Sequence, residues 1–145
     1  HALPPCTCRH YHGVSYVAVY ACDPDEPGCD CERLGKLELD ATYAACLGVD
    51  ATALDENHVA PGRYDLLVDD DCEDTGYDLV IRDTVTKPDG EVVGLAFSVE
   101  GEGDRPDPTL CQIEVKGGRG SAFYGPDALR ENGTVDYVYA PEKLQ

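Results

Sequence analysis

Five residues near the start of the chain carry metal-binding side chains: His1, Cys6, Cys8, His10 and His12. Imidazole and thiolate are borderline-to-soft ligands that suit zinc or copper. A histidine at the first position adds a second mode, because its amine and ring together can chelate copper. The spacing points elsewhere. Cys-x-Cys followed by His-x-His is not a standard zinc pattern, and the chain offers other cysteines as disulfide partners. Surface histidines beside disulfides are the expected arrangement, with a copper or zinc site on His1, His10 and His12 as the competing one.

The carboxylates give a second chemistry. Asp23, Asp25 and Gly28 match the opening of an EF-hand loop, but Pro27 and Leu34 stand where further oxygen ligands are required. Asp69 and Asp71 belong to a denser run that continues through Glu73 and Asp74. Hard oxygen ligands can gather Ca2+ or another cation in such acidic loops without a motif. No cofactor is required for folding. Catalytic constellations are missing from the sequence: there is no Gly-x-Ser-x-Gly, no His-Glu-x-x-His and no phosphate-cradling glycine loop before a helix pattern. The expectation is a protein that is not an enzyme.

Eight cysteines, Cys6, Cys8, Cys22, Cys29, Cys31, Cys46, Cys72 and Cys111, are even in number and widely scattered. They read as a disulfide framework formed in an oxidising compartment. Eight cysteines allow on the order of a hundred connectivities, so no pairing follows from the sequence. The tight Cys6–Cys8 and Cys29–Cys31 spacings suggest that each bonds outside its own pair. A chain that begins at His1, with no Met anywhere, reads as a secreted product relieved of its leader. Asn132-Gly133-Thr134 is a glycosylation sequon that secretion would make usable.

No stretch approaches the roughly 20 apolar residues that span a bilayer. The net charge of −18 repels nucleic acid and anionic lipid, because no basic patch exists to release counterions from phosphate. With 145 residues, a single domain over 1–145 can bury about two-thirds of its unfolded surface. Residues 1–13 form a Cys/His-rich extension of it.

The elements that would hold these groups are strands. Residues 14–21 are rich in β-branched and aromatic side chains. Leu37, Leu39, Ala41 and Tyr43 alternate with polar residues, which predicts a strand running through Tyr43. Residues 44–57 fit either an extension of that strand or a short helix. Further strands fall at 64–68, 77–85, 92–99, 110–116, 122–124 and 135–139. Lys87-Pro88-Asp89-Gly90 and Gly117-Gly118-Arg119-Gly120 mark turns between them. Short strands with turn signals about every ten residues predict an all-β fold. Its expected form is an antiparallel β-sandwich of Ig-like or jelly-roll-like kind, stapled by disulfides, with at most short helical turns.

The segments HGVSYVAVYAC and LCQIEVKGGRGSAFYG resemble strand stretches of haloarchaeal secreted and cell-surface β-sandwich proteins, as does the acidic, Lys-poor composition. The resemblance implies an exported sandwich of the cell envelope, of a type that can form pilus-like fibres by donating a terminal strand to the next subunit. From it follows the expectation of a structural subunit of an extracellular filament or surface layer, with copies of itself as partners. Val14, Tyr16, Val17, Val19 and Tyr20 are then the expected subunit contact. A monomeric secreted binding module (an adhesin, an inhibitor or a viral surface protein) is the alternative.

Overall fold

Alternation of apolar and polar residues builds most of the chain. In β1, Tyr16–Cys22, Val17 and Val19 are fully buried in the core, whereas Tyr16 and Tyr20 lie on the opposite, outer side. The computed structural model describes residues 11–22, 30–69, 71–125, 128–129 and 134–143. Within them follow β2 (Glu32–Glu38), β3 (Leu54–Asp55), β4 (His58–Val59), β5 (Gly62–Leu67), β6 (Asp74–Thr86), β7 (Val92–Gly101), β8 (Thr109–Gly117), β9 (Gly120–Tyr124) and β10 (Thr134–Tyr139). The fold is all-β, and its strand pairs are antiparallel.

Eight of these strands form one sheet in the order β10-β7-β6-β5-β2-β1-β8-β9, and β3 and β4 make a small separate hairpin. The large sheet curls until its outermost strands nearly meet. The core lies inside the curl, with Leu37, Leu66, Leu79, Leu95, Phe97 and Ile113 among its fully or almost fully buried side chains. Both expected turns form. Gly90 donates its N–H to Lys87 O at 2.9 Å. Gly117 pairs with Gly120 around Gly118, whose φ of 59° suits a residue without Cβ.

The strand expected through Tyr43 stops at Glu38. The chain enters a helix instead, α1, Ala41–Leu47. Asp40 caps it, its side chain accepting the Tyr43 N–H at 2.9 Å. Gly48, in the left-handed conformation at φ 72°, closes it. The period-two pattern is real through Leu39. Beyond it the capping chemistry of Asp40 and the helix-favouring Ala41, Ala44, Ala45 and Leu47 take over. Tyr43 and Ala44 of α1 pack into the same core as Leu54 and Val59 of the small hairpin.

The segment just before β1 is used within the chain itself. Val14 N–H bonds Val92 O of β7, Ser15 N–H bonds Lys116 O of β8, and His12 N–H bonds Pro141 O after β10. Residues 12–15 therefore cross the gap left by the curling sheet. No helix among the described residues is long and apolar enough to cross a membrane.

Candidate functional site

The disulfide framework is partly in view. Cys31 bonds Cys111, and Cys46 bonds Cys72. Cys22 is also disulfide-bonded. Disulfides of this kind fit an oxidising, extracellular-type environment. The Cys31–Cys111 bond joins the residue just before β2 to β8, with β1 running between the two strands. Strands two places apart in a sheet are about 9.6 Å from each other, yet these Cα atoms are 6.0 Å apart. Register shifts at Val19/Tyr20 against β2 and at Tyr20/Ala21 against β8 coincide with this approach.

Of the expected metal ligands, His1, His10, Asp23 and Asp25 lie outside the described residues, as do Cys6, Cys8, Cys29 and the sequon residue Asn132. His12 sits against the 117–118 turn, so close that a Cβ on Gly118 would meet its ring. Asp69 turns its carboxylate back onto the Asp71 N–H at 2.9 Å, the local bond typical of an acidic turn.

The expected subunit contact changes most. β1 is hydrogen-bonded to β2 on one side and β8 on the other. Val14, Val17 and Val19 are fully buried. Tyr16 and Tyr20 instead serve an outer-face network around Glu114. Being paired on both edges, this segment offers no strand to a neighbour.

Glu114 is a carboxylate on the outer side of β8, only 6% exposed. One of its oxygens accepts from Tyr16 Oη at 3.0 Å and Ser121 Oγ at 2.7 Å. The other accepts from Tyr20 Oη and Arg33 Nη2, both at 2.9 Å. Ala18 makes room for this convergence. It stands directly opposite Glu114, between the two tyrosines, and is itself fully buried. The Arg33 guanidinium sits 5.7 Å from both tyrosine ring centres, a cation–π arrangement that fixes its head over the site. Burial works against the ionised form of Glu114, but bonds from Ser121, Tyr20, Tyr16 and Arg33 outweigh it and hold the pKa below the usual carboxylate value.

A second constellation gathers where β5, β6 and the end of β7 meet. Asp65 pairs directly with Asp78, and Asp78 with Glu100, so three carboxylates stand in a row across three strands. Like charges directly opposite each other destabilise a sheet by about 0.2–1 kcal/mol per pair. Arg63 offsets part of this, donating to Asp78 Oδ2 at 2.9 Å and to Glu100 at 2.8 Å. Asp74 at the start of β6 and Glu102 just past β7 join from the far side. Glu102 donates its backbone N–H to Gly76 O at 3.0 Å. Gly101 lets the following loop fold back tightly, since a Cβ there would collide with Arg105 O. Burial, with Asp78 and Asp74 nearby, pushes Glu102 up to about 7. Burial and Asp78 also raise Asp65. Such a group can share protons or hold a cation. The alternation of Tyr64-Asp65-Leu66 and Tyr77-Asp78-Leu79 signals two outward carboxylates in the sequence; only the register sets them side by side.

No family model, no curated protein and no solved structure matches this chain.

Proposed function

We propose that the chain is a non-enzymatic structural domain of a secreted surface assembly, a filament or surface layer in which it meets copies of itself. The observation that best supports this reading is how the sheet is finished. Its two outermost strands are joined through Tyr124 and Tyr139, residues 12–15 cross the remaining gap, and disulfides tie the residue just before β2 to β8 and α1 to the loop after β5. A sealed, cross-linked sheet resists unfolding and offers little free edge to stray strands. Both oxygens of Glu114 are saturated by donors, which suits an anchor of the sheet better than a general base.

Because the segment through β1 is used within its own sheet, contact between copies goes through outer faces. Phe123, 58% exposed on β9, is an apolar side chain on such a face. A net charge of −18 opposes association at low salt, whereas molar salt shortens the screening length to about 3 Å. The test is electron microscopy with light scattering of the oxidised chain at low and molar NaCl. Ordered assemblies that grow with salt support the proposal. Monomers at both salt levels would overturn it and favour a monomeric binding module.

A further inference from the structure

Carboxylates only accept hydrogen bonds, so a buried carboxylate oxygen needs a donor or a positive charge. Two oxygens of the acidic group have no donor: Asp78 Oδ1 and Glu102 Oε1 are buried without a hydrogen-bond partner. Asp78 is only 5% exposed, and its carboxylate lies against those of Asp65 and Glu102. The free oxygen of a buried side chain thus faces other acceptors.

The neighbouring cations leave these two oxygens without a donor. Arg63 bonds Asp78 Oδ2 and Glu100. Arg105 donates to Thr75 O at 3.3 Å and stacks on Tyr77. Meanwhile Asp65, Asp74 and Glu102 each offer an oxygen, and these lie within 4.8 Å of one another. Opposite ligands of one Ca2+ ion are about 4.6–5.2 Å apart, twice the usual Ca–O distance. The three oxygens fit around a single ion, and the buried carboxylate of Asp78 lies beside them.

We propose that Asp65, Asp74 and Glu102 bind one divalent cation, Ca2+ in preference to Mg2+, with the buried carboxylate of Asp78 adding negative charge beside it. Three carboxylates on mixed strand and loop positions, completed by water, suit the irregular, oxygen-rich shell of Ca2+. Mg2+ demands a strict octahedron at shorter distances and keeps more of its water. The ion would also neutralise the like-charge row of Asp65 and Asp78, tying β5 to the end of β7.

The experiment is calorimetric titration of the metal-stripped, oxidised full chain with CaCl2 and, separately, MgCl2 at constant ionic strength, with thermal melting in parallel. One Ca2+ per chain, bound more tightly than Mg2+ and raising the melting temperature, is expected. Asp74→Asn changes an exposed side chain and leaves the metal-free fold intact, yet weakens Ca2+ binding by about tenfold or more through loss of a ligand charge. Asp78→Asn weakens it as well. Asp71→Asn, in the acidic turn, leaves it unchanged. Absence of Ca2+ binding, equal stabilisation by NaCl, or loss of binding in Asp71→Asn with retention in Asp74→Asn would overturn the proposal.

Discussion

The hydroxyl of Tyr124 bonds both backbone groups of Tyr139, donating to its carbonyl at 2.8 Å and accepting from its N–H at 2.9 Å. A side chain of β9 thereby stands where the next strand's backbone would pair with β10. The seam of the sheet is closed by one phenol in place of a ladder, and an edge open to other chains is blocked.

Replacing that phenol tests the seam. Tyr124→Phe keeps the ring and removes the hydroxyl that bonds the N–H and C=O of Tyr139. Losing hydrogen bonds to partly buried backbone groups costs about 1–3 kcal/mol. A fall in melting temperature of roughly 3–8 °C is expected for a chain of this size. Hydrogen exchange should quicken at the Tyr139 amide while β1 stays protected. Unchanged exchange at Tyr139 would show that the hydroxyl does not hold the seam.

The two observed disulfides should differ in weight. Cys31–Cys111 closes a separation of 80 residues and Cys46–Cys72 one of 26. Chain-entropy estimates give about 4.5 and 3.5 kcal/mol respectively. The shorter loop is nested within the longer, so the two effects do not add. Urea denaturation of the Cys31→Ser/Cys111→Ser and Cys46→Ser/Cys72→Ser double variants should rank the first as the less stable. The reverse order would mean that strain or local packing outweighs loop entropy.

The start of α1 rests on one carboxylate. Asp40→Ala removes the acceptor for the Tyr43 N–H, a change worth about 1 kcal/mol at a helix N-terminus. Asp40→Asn keeps an acceptor and should recover most of the loss. Chemical denaturation of the pair separates the cap from general effects of charge on so acidic a chain.

The strands and their turns were legible because alternation and Pro-Asp-Gly or Gly-rich turns are local signals. The boundary of α1 was not. Leu37, Leu39, Ala41 and Tyr43 keep a period of two across Asp40, and only the cap breaks the tie. Long-range relations were hidden for a different reason. Cys31 meets Cys111, and Asp65 meets Asp78, through register, which no local pattern encodes. The burial of β1 between β2 and β8 belongs here too: its apolar residues mark a strand equally well whether the partner is its own sheet or another chain's.

Glu114 supplies a pH dependence with a definite sign. Its folded pKa lies below the usual carboxylate value: burial alone would raise it, but the bonds from Ser121, Tyr20, Tyr16 and Arg33 prevail. A carboxylate with a depressed folded pKa contributes stability above its unfolded pKa, near 4.3, and the contribution is lost as pH falls through the folded value. Glu114→Gln should therefore destabilise the chain at neutral pH by about 3 kcal/mol, the scale for breaking a buried ion pair. As the solution is acidified below the ordinary Glu range, the wild-type advantage should shrink, because both chains then carry a neutral group at this position. Urea denaturation of the two chains from neutral to strongly acidic pH measures the difference directly. A gap that stays constant through the acid range would mean that shape, and not the charge held by Tyr16, Tyr20, Arg33 and Ser121, is what Glu114 contributes.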